Sequence, residues 1–170
     1  MNEQTPSVQH NFKIRVTAPQ TNITKPALGE PYYPTNLSYW TPNQIEGTRN
    51  AYTTEVYVSI REEKTGYYWY GSSFSAPADV ENWLDTDEYA SGVWRYVFTT
   101  NPWVDGSSYT IRSRGYGPAG WEEAYYTLPS RKFLYDVTEP QTGVVLPENT
   151  KYYQTLTTIS GTAVDPLPTE

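Results

Sequence analysis

Cysteine is absent from the 170 residues, and histidine and methionine occur once each. Without Cys there is no disulfide framework and no thiolate metal site, so composition leaves the redox compartment open. The one histidine, His10, stands in a polar run. A base on such a tail is not held in geometry, so Ser-His-Asp and Cys-His nucleophile arrangements are not expected, and the chain does not read as an enzyme. No Gly-rich phosphate loop precedes a helical pattern, and no His or Cys pair has metal-ligand spacing. Charge is scarce as well, at 18% of residues, and its balance is negative, at -7. Nucleic-acid binding needs clustered Lys and Arg to displace counterions, so nucleic acid is not an expected partner. No apolar run approaches the roughly 18 residues of a membrane-spanning helix. Met1 is followed by NEQTPSVQHN rather than by a basic and then apolar leader, and any export signal is expected to lie outside these residues.

What is abundant is aromatic. Phe, Trp and Tyr make up 16% of the chain, with 17 Tyr, as in β-rich extracellular proteins, because Tyr suits a half-buried pleated strand with one wet side. Helical spacing is hard to find, while 14 Pro and 11 Gly punctuate the chain every ten residues or so. That rhythm predicts a sandwich of short strands. In EVYVSIR, residues 55–61, Val56, Val58 and Ile60 alternate with Tyr57 and Ser59. Trp94, Tyr96 and Phe98 share a face in VWRYVFT, and Tyr109 and Ile111 oppose Arg112 and Arg114 in SYTIRSR. Between these last two strands NPWVDG, residues 101–106, has turn chemistry and reads as a hairpin. Residues 78–92 read either as a short helical turn, with Val80, Trp83 and Leu84 at helical spacing, or as an irregular crossing between sheets.

The chain also says one thing twice. FKIRVTAPQTNITKP, residues 12–26, and FLYDVTEPQTGVVLP, residues 133–147, share Phe, Val, Thr, Pro, Gln, Thr and Pro at identical offsets, 121 residues apart. IEGT at 45–48 is answered by ISGT at 159–162, 114 residues later. Pro at matching positions confines both openings to edge strands and the linker between units. A stiff, nearly extended junction between units is expected, because Val16 and Pro19 recur as Val137 and Pro140 and Pro restricts φ. Residues after about 140 are expected either to lie along this unit's own edge or to add a strand to a neighbouring chain.

FLYDVTEPQT followed by LTTISGTAVD resembles the start of a bacterial Ig-like repeat of the kind strung in tandem on surface and secreted proteins. EVYVSI, GYYWYGSSF, VWRYVF, NPWVDGSSYTIRSRG and PAGWEE follow in that family's order, so the resemblance covers about residues 12–168. It implies an all-β fold: an Ig-like antiparallel β-sandwich over 40–132, preceded by a polar tail (1–11) and an extended lead-in strand and linker (12–39). A closing strand and the opening of a further repeat follow over 133–170. The implied role is structural or adhesive, a spacer or interaction module on a bacterial surface. Its partners would be neighbouring repeats or identical subunits meeting through edge strands, with host or matrix glycans as a further class. The chain departs from the family in GYGPAGWEE, where Gly117 and Trp121 replace the usual Asp and Asn, and in Arg15, which stands where the second opening has Asp136.

Trp69, Trp94 and Trp103 fall where such a unit places its packing aromatics. Tyr68, Tyr70, Tyr116 and Trp121 are harder to place inside, since successive side chains on a strand point to opposite faces. These four are the candidate ligand-binding residues, open equally to being scattered surface aromatics or contacts to the next repeat, and a flat exposed row of two or three aromatics would favour a carbohydrate-binding module. Acids cluster in LDTDEY, and Asp85, Asp87 and Glu88 are candidate calcium ligands, although the Asp-x-Asp-x-x-Gly loop pattern is missing. Glu122 and Glu123 complete the list of carboxyls available for paired acid chemistry. Solvation is the ordinary fate of such residues, and no cofactor is expected beyond that calcium candidate.

Overall fold

The computed structural model describes residues 17–27, 43–75 and 80–164; the polar tail with His10, Arg15 and most of the linker lie outside them. Among the described residues the fold is all-β, with every strand pair antiparallel and two short 3-10 turns, Pro118–Gly120 and Tyr125–Thr127. One sheet has the order β1 (Thr21–Lys25), β2 (Gln44–Arg49), β8 (Val93–Val97), β7 (Asp87–Ala90). A second has the order β10 (Ser130–Tyr135), β9 (Ser107–Tyr116), β3 (Glu55–Glu62), β4 (Tyr68–Trp69), β5 (Phe74–Ser75), with β6 (Leu84–Asp85) also paired to β3. Their facing sides share one core. Ile23, Ile45, Trp94 and Phe98 come from the first sheet and its ends, and Val56, Val58, Ile60, Trp69, Tyr109, Ile111, Phe133 and Tyr135 from the second.

Strand β9 runs the length of the second sheet and shows how sequence sets the layers. Its residues alternate buried and half-buried without a break, as period-two patterning requires. The inward set is Ser107, Tyr109, Ile111, Ser113 and Gly115, bulky in the middle and small toward the C-terminal end. A side chain at Gly115 would meet the methyls of Thr53 and Thr21. The small residues thus leave room for β1 to cross. Lower in the core the aromatics interlock edge to face: Phe98 on Trp103 at 5.0 Å, Trp103 on Tyr109 at 4.8 Å and on Phe133 at 5.1 Å between ring centroids, the geometry that ring quadrupoles favour. Burial raises the Tyr109 hydroxyl above the usual tyrosine pKa, although it accepts a hydrogen bond from the Val104 amide.

Two connections depart from or resolve the sequence reading. NPWVDG is not a hairpin: β8 before it lies in the first sheet and β9 after it in the second. The physical reason is Trp103, buried among Phe98, Tyr109 and Phe133, which draws the loop across the end of the core. Residues 80–92 form the irregular crossing, passing from β6 on the second sheet to β7 on the first, with no helical turn.

Beyond the body, β11 (Gln141–Leu146) and β12 (Ser160–Val164) pair with each other in a third sheet. Strands β11 and β12 therefore do not extend either sheet of the body at its edge. The new hairpin copies the register of β1 and β2. Ile23 faces Gly47 and Lys25 faces Glu46, with a bulge between; Val144 faces Gly161 and Leu146 faces Ser160, with a bulge at the same place. Offsets of 121 on one strand and 114 on the other carry every pair of β1–β2 onto a pair of β11–β12, as the two sequence repeats do.

Candidate functional site

The features that set this body apart from an ordinary pair of sheets are at its two ends, where the chain comes in and leaves. At the first, the GYGPAGWEEA segment reverses after β9. Ala119 and Gly120 both take positive φ, Gly117 N–H donates to the Trp121 carbonyl at 2.7 Å, and Tyr116 bridges to Glu122. The reversal turns Glu123 inward, where it is 6% exposed. One carboxylate oxygen accepts the Thr21 N–H at 3.0 Å; the other accepts the Thr21 hydroxyl at 2.7 Å and the Gly115 N–H at 3.0 Å. Because the Thr21 proton goes to Glu123, the Ser113 hydroxyl, 2.9 Å away, donates to Thr21 Oγ1. Charge-assisted bonds of this kind are roughly twice as strong as neutral ones. They tie β1 to β9 through Glu123, 102 residues from Thr21 in sequence. Pro19, buried against Gly117, and Gln20, whose N–H donates to Thr53 Oγ1 at 3.0 Å, complete the clasp.

The opposite end is held by Asp105 of NPWVDG. Its two oxygens accept the Val137 N–H at 2.8 Å and the Thr138 hydroxyl at 3.0 Å. Gly106, at φ 78°, donates its N–H to the Tyr135 carbonyl at 2.8 Å. Asp136 is 1% exposed and accepts the Thr138 N–H at 2.9 Å. Thr21 thus sits beside Gly115 and Ser113, and Tyr135 pairs with Ser107. These positions mark the two ends of β9, about 27 Å apart at about 3.4 Å per residue. The chain crosses the body from pole to pole.

The four candidate aromatics are not gathered. Tyr68 pairs with Arg61 of β3, and Tyr116 with Glu55, six positions or about 20 Å along that strand. Tyr68 is half-buried, its hydroxyl raised by burial and by Glu81. Tyr116 packs edge-on against Tyr57 at 5.3 Å. Tyr70 and Trp121 are exposed, 40% and 48%, in separate turns. These four residues do not form a flat row. What the sequence reading missed on this face is the role of the arginines. Arg114 stacks over Trp83 at 4.4 Å, and Arg112 over Tyr125 at 4.5 Å while ion-pairing with Glu81. Burial alone would lower the Arg112 pKa; the Tyr125 hydroxyl and Glu81 outweigh it and hold the guanidinium above its usual value. The only sequence signal was the alternation of Arg on the outward face of β9.

The calcium candidates are likewise divided. Asp85 faces Tyr57 in the second sheet, whereas Asp87 faces Arg95 and Glu88 faces Trp94 in the first. Glu88 is paired with Arg49 at 2.8 Å. Asp85 and Glu88 border an open cleft of about 320 Å³ with Glu55 and Tyr57, but Arg49 lies in it too. Among the described residues no group of three His, Cys, Asp or Glu side chains is placed to hold a metal ion. The carboxylates sit on strands of two different sheets rather than on one loop, so the proposed site is not assembled. Accordingly, millimolar calcium or a chelator should leave the melting temperature unchanged, whereas a bound ion would raise it by mass action; a shift of several degrees would contradict this geometry. Of the last acids, Glu122 has a side chain 55% exposed and 3.8 Å from Arg114, and Glu123 is consumed by the clasp.

Compared with known proteins, the chain matches no family model, no curated protein and no solved structure.

Proposed function

We propose that the chain is an Ig-like sandwich unit of an extracellular tandem array on a bacterial surface, acting as a spacer or adhesive module rather than as a catalyst. The observation that carries this reading is the second hairpin: β11 and β12 reproduce the pairing and bulge of β1 and β2 after one complete body. The pole-to-pole path supports it, since it lets units follow one another in line. In such an array reach and affinity come from repetition. A carbohydrate-binding module is the second reading, and the dispersal of Tyr68, Tyr70, Tyr116 and Trp121 weighs against it. Partners are then neighbouring units or identical subunits meeting through edge strands, with glycans secondary.

Antibodies against the body are expected to decorate intact source cells, and protease shaving to remove the signal. Labelling that needs lysis would overturn the surface assignment. Small-angle scattering from a chain carrying two bodies in series is expected to give a narrow distribution of separations, because Asp105 pins Val137 and Thr138 just where one unit would pass to the next. Asp105→Ala should broaden it. A distribution already broad with Asp105 in place would sink the spacer.

A further inference from the structure

Hairpin β11–β12 holds the same strand pair as β1–β2 without the cover that buries the latter. Ile23 and Ile45 are 1% and 0% exposed, whereas their counterparts Val144 and Ile159 are 72% and 77% exposed. β2 is flanked on both sides, by β1 and β8; among the described residues β12 pairs with β11 alone. The body shows what the missing cover is. Opposite Gly47 lies Trp94 of β8, and a side chain at Gly47 would overlap both the Trp94 indole and the Asn22 carbonyl. The indole N–H then donates to the Thr48 carbonyl at 3.1 Å.

Each of these parts recurs in the hairpin. Gly161 stands at the register position of Gly47, and a side chain there would lie 2.5 Å from the Gly143 carbonyl oxygen, the counterpart of Asn22. Thr162 stands where Thr48 supplies the indole acceptor. Thr142 stands where Thr21 meets the Glu123 carboxylate. Its face is therefore shaped for an aromatic strand and not merely apolar.

We propose that the free edge and apolar face of β11–β12 bind a tryptophan-bearing strand of the β8 kind, antiparallel to β12, with its Trp seated on Gly161 and its indole N–H on the Thr162 carbonyl. The occupant is the body of a second unit, and a glutamate from that body takes the Thr142 N–H and hydroxyl. This deepens the array reading and rests on it. It also names the residues that make one unit's body complementary to the strand pair that follows another.

A transplant tests the fit. In the otherwise complete chain, residues 20–49 are replaced by residues 141–163, so that β11 and β12 face this body's own β8. The expected result is a single cooperative melting transition with the Trp94 indole N–H still protected from exchange, and slow amide exchange along the transplanted β12. Loss of the cooperative transition would overturn the proposal. Gly161→Val within the transplant should abolish folding, whereas in the unmodified chain it should leave the body's transition where it is. Amide exchange of the hairpin in that unmodified variant reads any effect of the Gly143 carbonyl alone. If Gly161→Val is tolerated in the transplant, Trp94 does not use the glycine seat and the inference fails. A failed transplant would leave the array reading to its own tests, since the repeated pairing and bulge that carry it do not depend on which strand covers β11–β12; a failed surface labelling would leave the transplant result intact.

Discussion

Gly47→Ala is expected to cost the body at least about 3 kcal/mol, at the upper end of what overpacking usually costs. The added methyl would coincide with the Trp94 indole on one side and the Asn22 carbonyl on the other. Neither can give way cheaply. Trp94 is 1% exposed, with its N–H committed to Thr48, and the carbonyl belongs to the β1–β2 pairing itself. At about 2–4 °C per kcal/mol for a chain of this size, the melting temperature should fall by about 10 °C. Gly161→Ala, in the exposed counterpart, should leave the body's transition within about 0.5 kcal/mol. Equal effects at the two glycines would refute the assignment of Gly47 as the seat of Trp94.

Glu123→Ala is the second large effect. It strips three donors, the Thr21 N–H, the Thr21 hydroxyl and the Gly115 N–H, of a charged acceptor inside the protein. A hydrogen bond to a charged group contributes about 1.5–3 kcal/mol, and burying the abandoned donor costs about as much again. Rearrangement of Thr21 toward Ser113 recovers part of this, so the expected loss is about 3 kcal/mol, read as a lower urea midpoint. Amide exchange should accelerate first along β1, which the clasp holds. Glu123→Gln should be intermediate, because an amide offers one oxygen and turns an NH₂ toward a donor. Glu122→Ala, at a side chain 55% exposed, should change stability by no more than about 0.5 kcal/mol. If both alanine variants behave alike, Glu123 does not hold β1.

The contrast between these two glutamates shows where the sequence is readable. They are adjacent, identical in type and set in an acidic chain, and solvation is the default for both. Glu123 escapes that default because Thr21 arrives from 102 residues away, a distance over which neither period nor turn chemistry carries information. Period-two alternation, by contrast, is local. It correctly placed Val56, Val58 and Ile60 inside, Tyr109 and Ile111 opposite Arg112 and Arg114, and Trp94 on one face with Phe98. NPWVDG failed for the same reason that Glu123 did. Pro and Asp-Gly chemistry specifies a reversal of the chain, but a hairpin and a crossing between sheets both need one. The deciding fact is that β8 pairs with β2 while β9 pairs with β3, in different sheets and with partners distant in sequence. The candidate aromatics had no such support at all. YYWY guarantees that some rings point outward, but whether they line up depends on where β4 lies along β3, and it places Tyr68 about 20 Å from Tyr116.

The course of the chain through the body also decides how it would carry a load. β1 leads away from one pole and β10 leads toward the other, each laid along a neighbour that runs the opposite way, β2 and β9. A pull applied at residues 17 and 138 acts parallel to both strands. All the rungs of each ladder are then stressed in shear at once, and none can be unzipped singly from an end. The Glu123 and Asp105 carboxylates sit where that force enters and leaves, so each acts as a mechanical anchor that shares the load with the ladders from the first.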